Sequence, residues 1–233
     1  IKIASKNKDI MKEKSSSQED FWSKNPCGYK GTLKTVSDFR YKSEPWIPDE
    51  IKNIPKNYTS YLEIGCGQGA DTFLLCSELK KSSSLISIDY SSESIETAKA
   101  FEREAQILYK SRINPTLIKM DALNLKFNDN HFDYIYSMGV IHHTPNPQMA
   151  IDEIFRVLKP GGKAKIFLYR RFSIKVGVAL VLRKIQGVFD LILNTDRVFF
   201  KILNLRKSKK FGTMFIECFG VPIMFAYNKK ELG

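Results

Sequence analysis

Tyr61 to Asp71 reads YLEIGCGQGAD. An apolar run, Tyr61, Leu62 and Ile64, carries one acid, Glu63, and breaks into glycines at alternate positions, Gly65, Gly67 and Gly69, ahead of the helix-compatible TFLLCSEL. The pattern predicts a buried strand, a tight turn and a helix start. Glycine suits the turn because it reaches positive φ and lets a ligand approach the backbone with no Cβ in the way. The helix that follows offers unpaired N–H groups and the positive end of its dipole to an anionic or polar ligand. These features describe a nucleotide-type cofactor loop.

The loop alone does not name the cofactor. Gly65, Gly67 and Ala70 also satisfy G-x-G-x-x-G/A, and Asp89, roughly 20 residues on, fits the ribose-binding acid of dinucleotide folds. A nicotinamide-dependent enzyme stays open on these residues.

Outward from the loop, strand and helix patterns alternate. SLISIDY (84–90) is a β-rich run ending in an acid, and SSESIETAKAFEREAQILYK (91–110) opens on N-cap serines and continues at helical spacing. TLIKMDAL (116–123) predicts a third strand ending in Asp121. HFDYIYSMGVIHH (131–143) predicts a fourth, then TPNP turns into the helix QMAIDEIFRVL (148–158), and KPGGKAKIFLY (159–169) is a glycine turn into a fifth strand. Strands separated by single helices imply right-handed crossovers and a Rossmann-like, doubly wound, mostly parallel α/β sheet with ligands beyond the carboxyl ends of its strands. Glu63, Asp89, Asp121 and Ser137 fall at such ends. Asp89 suits ribose hydroxyls and Asp121 an adenine amine, although each acid taken singly is also readable as a helix cap.

The 233 residues, 43% of them hydrophobic, suffice for one good core. Only the first twenty residues, dominated by Lys, Ser, Asp and Glu, are too polar to join it. The chain opens at Ile1 without a methionine and reads as a fragment. The four cysteines show no metal or C-x-x-C spacing and read as free thiols of a reducing, cytoplasmic compartment; no metal site is expected. No run of 18 apolar residues is present to span a bilayer.

The net charge of +12 is unevenly placed. Residues 61–169 are close to neutral, whereas residues 170–233 hold thirteen Lys and Arg against four Asp and Glu. A basic appendage on a neutral unit suggests an anionic partner, with a solvated basic face as the plain reading. Three parts follow: a leader and lid at 1–50, a cofactor-binding core at 51–169, and a basic helical part at 170–233. In the lid, Trp22, Tyr29, Phe39, Tyr41 and Trp46 are placed to cover a pocket or to anchor the leader to the sheet.

The ordered motifs resemble the class I S-adenosylmethionine (SAM) dependent methyltransferases, in particular the type 11 group. LEIGCGQGADT resembles the first family motif, SIDYSSESIETAK the second, KMDALNLKFNDNHFDYIYS the third with its following strand, and LKPGG the turn before the fifth strand. The resemblance implies SAM as cofactor, with Gly65, Gly67 and Gly69 bordering its methionyl part and Glu63 steering the amino group through the loop. It further implies Asp89 on the ribose diol, Tyr90 against adenine, Asp121 and Ala122 at the adenine edge, and Ser137 and Met138 beneath the ligand. The family sheet has seven strands closing in an antiparallel hairpin. Only five strands are read here, and AYNKKELG reads as a helix start, so the hairpin is expected to be missing from these residues.

Methyl transfer from a sulfonium mainly needs alignment and exclusion of water; a base is needed where the acceptor loses a proton. His142 and His143, just past the fourth strand, are the candidates, and His143 stands where the family carries a histidine in an H-x-P-x-P turn. Packing of the turn is the competing role for both. The Asn/Asp-Pro-Pro-aromatic motif of DNA amine methylation is absent. NPCG and FRYKSEP resemble a covering N-terminal stretch of the type 11 group, which puts Arg40 and Tyr41 near the acceptor.

In the tail, Val178, Leu182, Ile185, Phe189, Ile192, Phe199 and Ile202 fall near helical spacing with Arg183, Lys184, Arg197, Lys201 and Arg206 among them. A basic amphipathic helix over residues 174–206 fits peripheral contact with an anionic membrane or a cap over an apolar pocket. Packing on the sheet or between subunits fits equally, and nucleic acid ranks behind these. The expected function is methyl transfer to a small-molecule or lipid-like acceptor, at oxygen. A SAM-binding, membrane-associated scaffold without transfer activity is the rival.

Overall fold

The apolar run of the glycine motif is β1 (Ser60–Ile64), and it lies in the middle of a five-stranded parallel sheet. With β2 (Ser84–Asp89), β3 (Thr116–Lys119), β4 (Phe132–Met138) and β5 (Leu158–Phe167), the order is β3-β2-β1-β4-β5. The computed structural model describes residues 17–25, 31–204, 219 and 221–232. The chain walks outward from β1 to β3, then crosses to the other side of β1 for β4 and β5. That reversal opens a crevice beyond the carboxyl ends of β1 and β4. Ile64, the last residue of β1, pairs with Ile88 on one side and Ser137 on the other, so the three segments leaving these strands emerge together.

Alternation along the strands supplies both faces of the core. Leu62, Ile64 and Ile135 pack with Ile154 and Val157 of α7 (Pro147–Val157). On the opposite face, Tyr61, Tyr134 and Tyr136 pack with Leu75 and Cys76 of α4 (Ala70–Glu78) and with Ile47 and Ile51 of α3 (Ile47–Lys52). Full burial of such a side chain is worth about 1.5 to 3 kcal/mol. Two further segments cover the crevice: the helical residues 17–24 (α1) and α2 (Leu33–Ser43). Ser23 Oγ lies 2.9 Å from Ser91 Oγ at the exit of β2, and the amino end of α2 donates Leu33 N–H and Lys34 N–H to the Glu104 carboxylate at 2.9 and 3.1 Å. An acid at a helix N-terminus takes up N–H groups that have no partner within the helix.

Several boundaries differ from the sequence expectation. The helix expected over 91–110 is two, α5 (Ser92–Ala100) and α6 (Glu102–Tyr109), hinged at Phe101. The third strand stops at Lys119, leaving Asp121 in the loop beyond it. The fourth stops at Met138, because Gly139 turns at φ +73 and Ile141–His143 forms a 3-10 turn. KPGG enters β5 itself, where the register against β4 jumps from Leu158 to Lys163. The boundary expected between residues 50 and 51 falls inside α3.

The expected single tail helix is also two, α8 (Ile174–Leu193) and α9 (Val198–Asn204). Asn194 ends α8 in the left-handed region at φ +48, and the Asp190 carboxylate accepts Arg197 N–H and Val198 N–H at 2.8 Å each to start the next. Among the described residues no strand follows β5; Tyr227 makes an isolated parallel bridge with Arg170. Asn228 then opens a 3-10 turn, Lys229–Leu232. Tyr29, Arg206 and most of the NPCG segment lie outside the described residues.

Candidate active site

The cofactor loop leaves β1 with three consecutive odd-numbered glycines in the left-handed region: Gly65 at φ +81, Gly67 at +52 and Gly69 at +89. Two of them are also sterically required. A Cβ on Gly65 would lie 2.2 Å from Cγ2 of Val140, and one on Gly69 would lie 2.8 Å from the Phe73 ring. At Gly67 nothing stands within 4 Å of that position, so its Cα faces open space. Gly69 caps α4 without any side-chain hydrogen bond.

Beyond the strand ends lies a cavity of about 190 Å³. Of the residues expected at the site, Gly65, Gly67, Asp89, Tyr90, Asp121, Ala122, Met138 and His143 line it. Gly69, Glu63, Ser137 and His142 do not. Asp89 clips the loop, one carboxylate oxygen accepting Gly67 N–H and the other Ser91 N–H, both at 2.8 Å. Burial pushes its pKa up, and those N–H donors work against the rise. A carboxylate has about four lone-pair directions, and Tyr90 N–H takes a further one, which leaves room for a hydroxyl donor from the cavity. Asp121 accepts Leu123 N–H at 2.9 Å, and burial likewise raises its pKa.

Glu63 sits under the loop, not in the cavity. One carboxylate oxygen accepts the hydroxyls of Thr72 at 2.6 Å and Ser87 at 2.7 Å, joining β1 to α4 and β2. Full burial pushes its pKa up to about 7, against the pull of these two hydroxyls. Ser137 is buried against the Ile64 carbonyl at 3.4 Å. Burial holds the Cys66 thiol well above its ordinary value, so this wall of the cavity carries no thiolate.

The two histidines separate sharply. His143 lines the cavity, and its Nδ1 lies 2.9 Å from the Ile223 carbonyl. A carbonyl only accepts, so Nδ1 carries the proton and the Nε2 lone pair is the basic position. Burial depresses its pKa to about 4, further helped by the positive charge of Arg183, so the imidazole is neutral near pH 7. His142 is fully buried, its ring 3.9 Å from that of Tyr169, and neither nitrogen has a hydrogen-bond partner among the described residues. Burial holds its pKa far below the usual histidine value. The expectation of His142 as a base is therefore corrected: the side chain packs behind His143 and reaches no solvent or ligand space.

From the lid, Trp22, Arg40, Val36 and Gln18 line the cavity. Trp22 stands 5.4 Å from the His143 ring, and Arg40 bridges Asp71 at 2.9 Å and Glu44 at 2.8 Å. Tyr41 instead donates to the Ala70 carbonyl at 3.0 Å, and Trp46 is half exposed against Phe167, which removes both from the covering role expected of them. Sequence reading missed Gln18 and Gln68. Both are buried, both line the cavity, and both amide atoms of Gln18 and the oxygen of Gln68 lack a partner. Such carboxamides are costly unless a ligand completes them. The usable signal for Gln18 was its place one helical turn before Trp22.

The family model described as a methyltransferase domain, type 11, matches residues 62–166. Those residues are a class I methyltransferase domain of the type 11 family. SAM is the cofactor of that domain, and the nicotinamide reading of the glycine loop falls away. The backbone cradle at Gly67 and the unpartnered carboxamides of Gln18 and Gln68 fit a bound polar cofactor. Similar curated proteins include a demethylmenaquinone methyltransferase of Shouchella clausii, 32% identical over 119 residues, covering 51% of this chain and 48% of that one. A human protein named probable tRNA methyltransferase 9B is 32% identical over 146 residues, 60% of this chain and 28% of its own. The chain spans about half the length of the demethylmenaquinone methyltransferases it matches. Among solved structures, a chain of the complex between a Haloferax volcanii methyltransferase and its activator shares the fold, with TM-score 0.50 at 18% identity over 68% of this chain and 64% of that one. The methyltransferase domain thus accounts for the sheet and the loop; the lid and the tail lie outside the matched residues.

Proposed function

We propose that the chain transfers a methyl group from SAM to an oxygen of a small, lipid-like acceptor. The observation that carries this reading is His143: a buried, neutral imidazole whose Nδ1 proton is fixed on the Ile223 carbonyl, leaving Nε2 as its basic nitrogen, and which lines the cavity together with Asp89 and the glycine loop. SAM supplies an electrophilic methyl carbon whose departure leaves a neutral thioether. In this reading Gly65 and Gly67 border its methionyl part, Asp89 accepts from the ribose diol, Tyr90 packs on adenine, Asp121 and Ala122 meet the adenine edge, and Met138 lies beneath. Gly69, Glu63 and Ser137 act at one remove, by shaping the loop and its floor.

His143 takes the acceptor's hydroxyl proton at Nε2 while the oxygen gains the methyl group. A base with a pKa of about 4 pairs best with an acidic hydroxyl, so a phenol or enol is favoured over an aliphatic alcohol. Trp22, Val36 and Arg40 close the cavity from the lid side and keep water from the reacting oxygen. The lipid-like acceptor draws on the relatives named demethylmenaquinone methyltransferases. Peripheral membrane contact through residues 174–206 of a cytoplasmic protein accompanies it, and three parts, 1–50, 51–169 and 170–233, divide the work into lid, core and docking tail.

The test is incubation with methyl-labelled SAM and a cell lysate, then partition into organic, aqueous, protein and nucleic-acid fractions. Label in the organic fraction that disappears with His143→Ala is the expected result. Calorimetric SAM binding with no label in any fraction would replace this reading by the non-catalytic scaffold.

A further inference from the structure

From Arg183 onward, helix α8 is amphipathic in the reverse of the usual sense. Val176, Ala179, Arg183, Gln186 and Asp190, at alternating three- and four-residue spacing, face the protein. The polar members of that stripe hold main chain: Arg183 donates to the Val221 carbonyl at 2.7 Å and the Pro222 carbonyl at 3.3 Å, and Gln186 donates to the Phe219 carbonyl at 2.9 Å. The opposite stripe, Ile174, Val178, Val181, Ile185, Val188 and Ile192, is entirely apolar and 40% to 88% exposed. A continuous apolar stripe of this length on a water-facing helix marks an interaction surface.

We infer that α8 docks in the plane of an anionic lipid bilayer, with this stripe turned into the headgroup–acyl boundary. Charge selects the occupant. Residues 170–233 carry thirteen Lys and Arg against four Asp and Glu, and Lys184, Lys201, Arg170, Lys229 and Lys230 are exposed. A symmetric second copy would bring two such basic segments together, whereas an anionic surface is complementary to one. Arg183, Lys184 and Asp190 interrupt α8, and no described helix is long and apolar enough to cross a membrane, so the helix lies on the bilayer.

The docked helix is strapped to the site. Arg183 and Gln186 grip the carbonyls of Phe219, Val221 and Pro222, and the next carbonyl, Ile223, holds Nδ1 of His143. Docking itself stands on α8 alone; its use in receiving a lipid-like acceptor rests on the function proposed above.

The experiment is co-sedimentation of the full chain with phosphatidylcholine vesicles, with and without phosphatidylglycerol, for the wild type, Ile185→Glu/Ile192→Glu and Lys184→Glu/Lys201→Glu. These side chains are exposed, and thermal melts check that both variants fold. Binding to the anionic vesicles, weakened by salt and by about tenfold or more in each double variant, is the expected result. Absence of vesicle binding, or binding unchanged in the apolar variant, overturns the inference. A vesicle-independent dimer that Ile185→Glu/Ile192→Glu converts to monomer overturns it in favour of a second copy. SAM titration of the same proteins by calorimetry is read separately, so that a failure of the methyltransferase reading is not mistaken for a failure of docking.

Discussion

Nδ1 of His143 lies 2.9 Å from the main-chain oxygen of Ile223, a contact across 80 residues that fixes which imidazole nitrogen can accept a proton. His143→Ala should lower kcat by about 10² to 10⁴ with SAM affinity unchanged, the range expected for loss of a general base. Steady-state rates with calorimetric SAM binding check this; unchanged turnover would assign the ring to packing alone. Because its pKa is depressed from 6.5 to about 4, the neutral form, and with it activity, should persist down to pH 5.

The same burial has an acid-side stability cost. Between pH 6.5 and about 4 the unfolded chain protonates His143 and the folded one does not, so stability falls as pH falls through this window, by about 3 kcal/mol for the full shift. Glu63 has the opposite sign. Its folded pKa is raised from 4.5 to about 7, so its stabilising protonated form is lost as pH rises from 4.5 through 7. Glu63→Gln, which mimics the protonated acid, should gain in melting temperature over the wild type above pH 7 and show little difference near pH 4. Melting curves across pH decide it, and a constant difference would refute the buried-acid account.

Gly67→Ala separates ligand space from fold. The left-handed φ costs a Cβ-bearing residue about 1 to 2 kcal/mol, but no protein atom stands within 4 Å of the added methyl. The variant should fold and bind SAM at least about tenfold more weakly, because the methyl occupies the cradle. Gly69→Ala drives its Cβ to 2.8 Å from Phe73, and the main loss should be in thermal stability. Equal effects of the two on both readouts would count against the assignment.

Arg40 holds Asp71 at 2.9 Å where both are largely buried. Arg40→Ala strands the Asp71 carboxylate and should destabilise by about 3 to 5 kcal/mol, the cost of breaking a buried pair. Arg40→Ala/Asp71→Asn should recover part of that loss. Denaturant unfolding of the single and double variants measures the coupling, and strict additivity would show that the pair does not act as one.

The sheet was legible because the glycine cluster and the acids at strand ends sit where parallel topology sends the chain back across β1. Boundaries were less so. VIHH is apolar enough to extend a strand, yet Gly139 turns the chain first, and Phe101 breaks a run whose periodicity continues on both sides. The facing of α8 escaped the sequence for a physical reason: periodicity shows two stripes without saying which is inward. Here the inward stripe turns polar from Arg183 onward, because the partners of Arg183 and Gln186 are main-chain carbonyls rather than apolar side chains. Gln18 escaped likewise, since in a polar leader its one signal, a place one helical turn before Trp22, does not say that the side chain is buried.

Gly65 touches Val140, three residues before His143, with no room for even one methyl between them. The glycine loop and the loop bearing His143 are therefore mated parts. Enlarging position 65 demands a smaller residue at 140, and reshaping the 140–143 turn for a new acceptor changes what the glycine loop tolerates. Libraries that randomise either loop alone should yield mostly inactive clones, whereas libraries that vary 65 and 140 together open routes that neither change could open by itself.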